Sequence, residues 1–212
     1  MIDVSCVEQG RWERRPGVRF SPSREVLSTS VRKKMALKVA DSRSRGRSFA
    51  ADQIEVWDEV AARLGHSGTS TRSSAYADYV AARQHDVRDF TASFQPLPDQ
   101  VGFVAAIGGA IAGLETIGRP EAFARAFAGL VRAYAIDAVD AELVKQRGTA
   151  RNGARRFEAP EPFLRALAAA PADASASLGL GEDVRLDDGQ VAGCALVAGD
   201  VVHLTAFPCE MV

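Results

Sequence analysis

Cysteine is scarce in this 212-residue chain and follows no pattern: only Cys6, Cys194 and Cys209 occur, an odd number with no CxxC spacing. That excludes a disulfide framework and a thiolate zinc site, and the expected location is a reducing cytoplasm, since no apolar signal segment is recognised at the start. Aromatics make up 7% and histidine occurs three times, at His66, His85 and His203, far apart in sequence and without an HExxH motif. A histidine-based metal site is therefore not expected, and the metal assignment is none. Long apolar runs are missing too. The longest, Val101 to Leu114, is interrupted by Gly102, Gly108, Gly109 and Gly113 and falls short of the roughly 20 residues a membrane helix needs, so no membrane association is expected. There is no GxxxxGK[ST] loop, and Gly179-Leu180-Gly181 lacks both the third glycine and the preceding strand of a dinucleotide motif. Cofactor use is left unknown. A net charge of -1 excludes a strongly basic nucleic-acid binder judged by totals alone.

The totals hide an imbalance. Residues 1–47 hold 12 Arg or Lys against 5 Asp or Glu, while 48–212 hold 14 against 22. The basic segment 11–47, with Arg11, Arg14, Arg15, Arg19, Arg32, Lys33, Lys34, Arg43, Arg45 and Arg47, is open to two readings: a surface that attracts phosphate, nucleic acid or an acidic protein partner, or a set of cations paired with the acidic remainder.

Ile2, Val4 and Cys6 alternate with polar residues as in a half-buried strand over 2–8, ended by Gly10. A basic helix is predicted over about Ser28 to Ser42, then a loop at 43–47. Ile54, Trp57, Val60, Ala61 and Leu64 predict a second helix, with Asp52 and Glu55 as a capping pair and Gly65 as its stop. Tyr76, Val80, Val87, Phe90 and Phe94 trace a third, ended by Pro96 and Pro98. Two apolar runs, 101–107 and 110–117, flank Gly108-Gly109 and predict a hairpin, with a buried glycine-rich helix as the competing reading. Pro120 opens a helix carrying the stripe Phe123, Phe127, Leu130, Val131 and Tyr134. Linkers are expected at 147–158 and 171–182, around a short helix at 162–170. Three strands, 184–186, 191–197 and 201–207, form a terminal meander. The expected architecture is one α+β domain over 1–212, with strands at both ends and a central Gly-Gly hairpin packed with about four amphipathic helices.

Candidate chemistry concentrates in Cys6-Val-Glu-Gln-Gly-Arg-Trp12. Glu8, Gln9, Arg11 and Trp12 bring a carboxylate, an amide, a planar cation and an aromatic face to one strand end, suited to a sugar-phosphate or nucleotide. Glu8 is the catalytic candidate, as general base; Gln9, Arg11, Trp12 and Gln53 are the ligand-binding candidates. A packing role for Trp12 with Glu8 paired to Arg11 is the competing account. The acidic groups Glu55, Asp58, Glu59 and Asp137, Asp140, Glu142 read as solvated helix faces in preference to Mg²⁺ ligands, and His203 as a half-buried, hydrogen-bonded strand residue.

The strings VSCVEQGRW at 4–12, DQIEVW at 52–57, QVGFVAAIGGAIAGLE at 100–115, AYAID at 133–137 and VVHLTAFP at 201–208 resemble the bacterial domain family named for its association with ADP-ribosylglycohydrolase and rhodanese-phosphatase proteins. The resemblance spans nearly the whole chain. It implies a role around ADP-ribose or NAD metabolism, by association and not by mechanism. It also implies that relatives carry a further β-rich segment ahead of the VSCVEQGRW strand, which leads to the expectation that this copy lacks it and that strand 2–8 is an open edge, a route to a homo-oligomer. The resulting functional expectation is an intracellular protein that binds or processes an ADP-ribose-like or nucleotide ligand. The alternatives are a non-catalytic module using 11–47 for nucleic acid or an acidic partner, and a structural oligomer.

Overall fold

The computed structural model of the chain describes residues 8–9, 26–46, 53–69, 71, 74–146 and 157–209. The predicted strand 2–8 lies outside them except for Glu8, as do Arg11, Trp12, Cys6, Asp52 and residues 147–156.

Six helices and one six-stranded antiparallel sheet are described, an α+β fold. The helices are α1 (Thr29–Ser44), α2 (Gln53–Ser67), α3 (Tyr76–Ala82), α4 (Gln84–Ala92), α5 (Pro120–Gln146) and α6 (Pro160–Ala169). The strands are β1 (Gly102–Ile107), β2 (Ala110–Ile117), β3 (Ala172–Ala176), β4 (Glu182–Asp187), β5 (Val191–Ala198) and β6 (Asp200–Pro208), in spatial order β1-β2-β6-β5-β4-β3. Gly108 and Gly109 both take positive φ, 59° and 80°, the backbone that a two-residue turn matched to the strand twist requires.

The layers follow from residue alternation. On one face of the sheet Leu114, Val191 and Ala206 pack under Phe163 and Leu167 of α6. On the other, Phe103 and Ile117 meet Phe123, Phe127 and Leu130 of α5. The far half of α5 turns Ala135, Ile136 and Val139 toward Val60, Leu64, Tyr76, Tyr79, Val80 and Val87 of α2, α3 and α4. α1 has two inward stripes: Val31 and Met35 pack on Val56 of α2, while Arg32 and Arg43 reach the sheet at Glu115 and Asp173.

Three local expectations are corrected. The second helix does not stop at Gly65. It runs to Ser67 and closes at Gly68 (φ 67°), with Thr69 N–H on Leu64 O and Gly68 N–H on Gly65 O, the paired bonds of a left-handed C-terminal cap. The third helix is broken at Arg83, whose φ of -102° and ψ of 4° leave the helical region and separate α3 from α4. The 171–182 stretch contains an edge strand, β3, held by backbone pairing from Ala172↔Leu186 to Ala176↔Glu182. Its small, mostly exposed side chains carry no hydrophobic period.

Asp137 and Asp140 do not form a solvated face. Both are partly buried against Arg63 of α2, whose Nη2 and Nη1 reach them at 3.1 and 2.5 Å, and Tyr79 of α3 donates to Asp140. Asp137 also accepts from Ser30 N–H (2.8 Å) and Ser30 Oγ (2.9 Å). Ser28 makes no side-chain cap, so a carboxylate from α5 satisfies one of the orphan donors at the positive end of α1. Burial holds the Asp140 carboxyl above its ordinary range, although Tyr79 and Arg63 pull it down.

Candidate functional site

Antiparallel register aligns one row of side chains across the sheet: Phe103 opposite Glu115, Glu115 opposite Thr205, Thr205 opposite Cys194, Cys194 opposite Arg185, and Arg185 opposite Asp173. Directly opposed residues share a face, and this is the face covered by α1 and α5. A row of polar groups under two helices is costly unless each is paired.

Glu115 is the centre. It is 0% exposed and is the one charged residue of β2. Arg32 Nη2 donates to Oε1 at 2.6 Å and Tyr134 Oη donates to the same oxygen at 3.0 Å. The Arg32 guanidinium also stands 5.6 Å from the Phe207 ring centre and 5.8 Å from that of Tyr134, so aromatic faces take up part of the cation. Burial alone would lower the Arg32 pKa; the Glu115 charge and hydrogen bond reverse that and raise it. Tyr134 is driven well above the ordinary phenol value, first by burial and then by Glu115. Gly113 makes this approach feasible: a Cβ there would lie 2.6 Å from Tyr134 Oη.

The second oxygen is different. Glu115 Oε2 takes no hydrogen bond among the described residues, and neither does the buried Thr205 Oγ1 opposite it. His203 Nε2 is 3.9 Å from Oε2, too far for a hydrogen bond. Burial lowers the His203 pKa, Glu115 opposes that shift and Arg32 adds to it, so the site favours the neutral imidazole. His203 is half-buried as expected, and among the described residues its side chain has Glu115 at ion-pair range in place of a hydrogen bond.

Arg32, His203, Thr205 and Phe207 form one wall of a cavity of about 680 Å³ between α1, α5 and strands β2, β5 and β6, and Glu115 is buried behind them. Arg32, Arg125, Arg132, His203 and Thr205 supply its polar lining, and Met35, Ile117, Leu130 and Phe207 its apolar wall. Arg125, exposed on α5, forms no ion pair among the described residues. A second hollow of about 560 Å³ between α4 and β1 has no charged side chain among its described lining residues. The charge decides between them for an anionic ligand.

Among the sequence-predicted site residues, Glu8 is half-buried and forms an isolated antiparallel bridge with Ala75 ahead of α3, Gln9 is exposed, and Gln53 is the half-buried first residue of α2. None of the three lines the cavity. The basic run is largely paired within the described residues: Arg32 with Glu115, Lys34 with Glu59, Lys38 with Glu55, Arg43 with Asp173 and Arg45 with Asp41. Sequence reasoning missed Glu115, Tyr134, Arg125, Arg132 and Thr205. The available signal was the lone carboxylate in the second apolar run, since a charge at a core position calls for a buried partner. No group of three or more His, Cys, Asp or Glu among the described residues is placed to hold a metal ion, and no described helix is long and apolar enough to cross a membrane.

No curated protein and no solved structure matches the chain. A family model does, over residues 1–207, and covers the hairpin, α5 and the strands that build the Glu115 site: the chain belongs to the family of the ARG and Rhodanese-Phosphatase-superfamily-associated Protein domain.

Proposed function

We propose that the protein binds a small phosphate-bearing ligand of the ADP-ribose or nucleotide class in the cavity between α1, α5 and β6. The observation that carries the reading is the presence of Arg125 and Arg132, beside the Glu115-paired Arg32, on one apolar-walled cavity of about 680 Å³. That volume falls within the range of small-molecule sites, and guanidinium groups are suited to bidentate phosphate recognition. The family name supports it by linking such domains with ADP-ribosylglycohydrolase and rhodanese-phosphatase proteins. The nucleic-acid alternative draws less support, because five basic side chains of α1 and its C-terminal turn already have acidic partners.

Isothermal titration with ADP-ribose tests this. Arg125→Ala and Arg132→Ala each weaken binding by about 1.5–3 kcal/mol, or roughly tenfold to a hundredfold, while Glu8→Gln and Gln53→Ala leave it unchanged. The opposite pattern moves the ligand to the Glu8, Gln9, Arg11, Trp12 and Gln53 group. Absence of heat with the unsubstituted protein rejects both placements.

A further inference from the structure

The arginines suit an anion but leave one wall of the same cavity unexplained. Arg32, His203 and Thr205 all border the cavity, and Glu115, fully buried, lies behind them in ion-pair range of Arg32 and His203. Glu115 Oε2 and Thr205 Oγ1 are buried there without a hydrogen-bond partner among the described residues. Buried polar atoms are nearly always satisfied, by protein, ordered water or ligand, so an open hydroxyl at a cavity wall is a place for a bound oxygen.

The charge of that bound group is constrained. Arg32 already neutralises Glu115 at 2.6 Å, and Arg125 and Arg132 line the same cavity, so an additional cation is repelled. A neutral group remains. A hydroxyl can both donate to and accept from the Thr205 hydroxyl and the His203 ring, whereas an amide N–H can only donate.

We infer that Thr205 Oγ1 and His203 Nε2, backed by the buried Glu115 carboxylate, form a hydroxyl-recognising subsite on the cavity wall, so that the ligand class is a phosphorylated sugar or polyol. The inference rests on the anion-binding reading above and narrows it: phosphate toward the arginines, sugar hydroxyl toward Thr205 and His203. Sites built to bind a hydroxyl discriminate strongly against analogues that lack it, because the site's own polar groups are then left bare.

The test compares ribose 5-phosphate with tetrahydrofurfuryl phosphate, which keeps the ring and the phosphate and has no ring hydroxyl, by titration calorimetry on the full chain. The expected result is at least tenfold tighter binding of ribose 5-phosphate. Thr205→Val, which keeps the side-chain shape, reduces that preference severalfold; Glu115→Gln reduces it further. Because Glu115→Gln also disturbs the Arg32 pair, Thr205→Val decides the matter if the glutamine variant does not fold. Equal affinity for the two phosphates in the unsubstituted protein overturns the hydroxyl subsite while leaving the anion reading in place. Failure of ADP-ribose and both phosphates to bind overturns the two together.

Discussion

Arg32 of α1 and Glu115 of β2 meet at 2.6 Å across 83 positions of sequence, the carboxylate fully enclosed and the guanidinium side chain 17% exposed. The pair fixes the position of the first helix on the sheet. Removing one partner leaves a buried charge uncompensated, whereas removing both leaves only a packing defect. Arg32→Met is expected to lower unfolding free energy by about 3–5 kcal/mol, and Arg32→Met combined with Glu115→Leu to recover more than half of that loss. Urea denaturation of the two single variants and the double variant provides the cycle. Additive losses would show that the two charges are not coupled.

Gly113 occupies a place where a methyl group would have to displace something. An added Cβ falls 2.6 Å from Tyr134 Oη, 3.0 Å from Ala206 O and 3.0 Å from Phe207 Cδ1. Gly113→Ala is expected to cost about 1–3 kcal/mol, the range for overpacking, and to cost less in a Tyr134→Phe background, where the clashing hydroxyl is gone. Thermal unfolding of the four proteins checks the difference; an unchanged cost would place the clash at Ala206 and Phe207.

His203 gives the fold a pH dependence with a defined sign. Its pKa is lowered in the folded state, chiefly by burial, so the folded protein binds fewer protons at this site than the unfolded chain, where the value is about 6.5. Stability from this group is complete above that unfolded value and is lost as pH falls through it toward the folded one. His203→Gln is expected to flatten the decline in urea midpoint from about pH 7 to pH 5. An identical slope in the variant would assign the decline to other groups.

Much of the architecture was legible because local periods and local neighbours agree. Gly108-Gly109 between two apolar runs predicts the β1–β2 turn, the Phe123–Tyr134 stripe predicts α5, and the closing meander predicts β4, β5 and β6, all sequence neighbours in space. What escaped depends on distant partners. Nothing local to β2 shows that it pairs with β6, as Ile117↔His203 and Glu115↔Thr205 do; nothing local to β3 marks a strand whose side chains touch little. Arg32 reads as one cation in a basic run until Glu115 is placed opposite it, and Asp137 reads as solvated until α1 is laid against α5. The candidate cavity is assembled from α1, α5 and β6, so its arginines have no shared motif.

The placement of β6 between β2 and β5 carries a consequence for the order of assembly. The β1–β2 hairpin and the β3–β4–β5 meander are each local, but in the described sheet their backbones are joined only through the last strand. During synthesis both pieces emerge with an unpaired rim, and neither can join the other until residues 200–208 have left the ribosome. The Glu115 cluster, which draws His203, Thr205 and Phe207 from that strand, is therefore among the last features of the molecule to come into being.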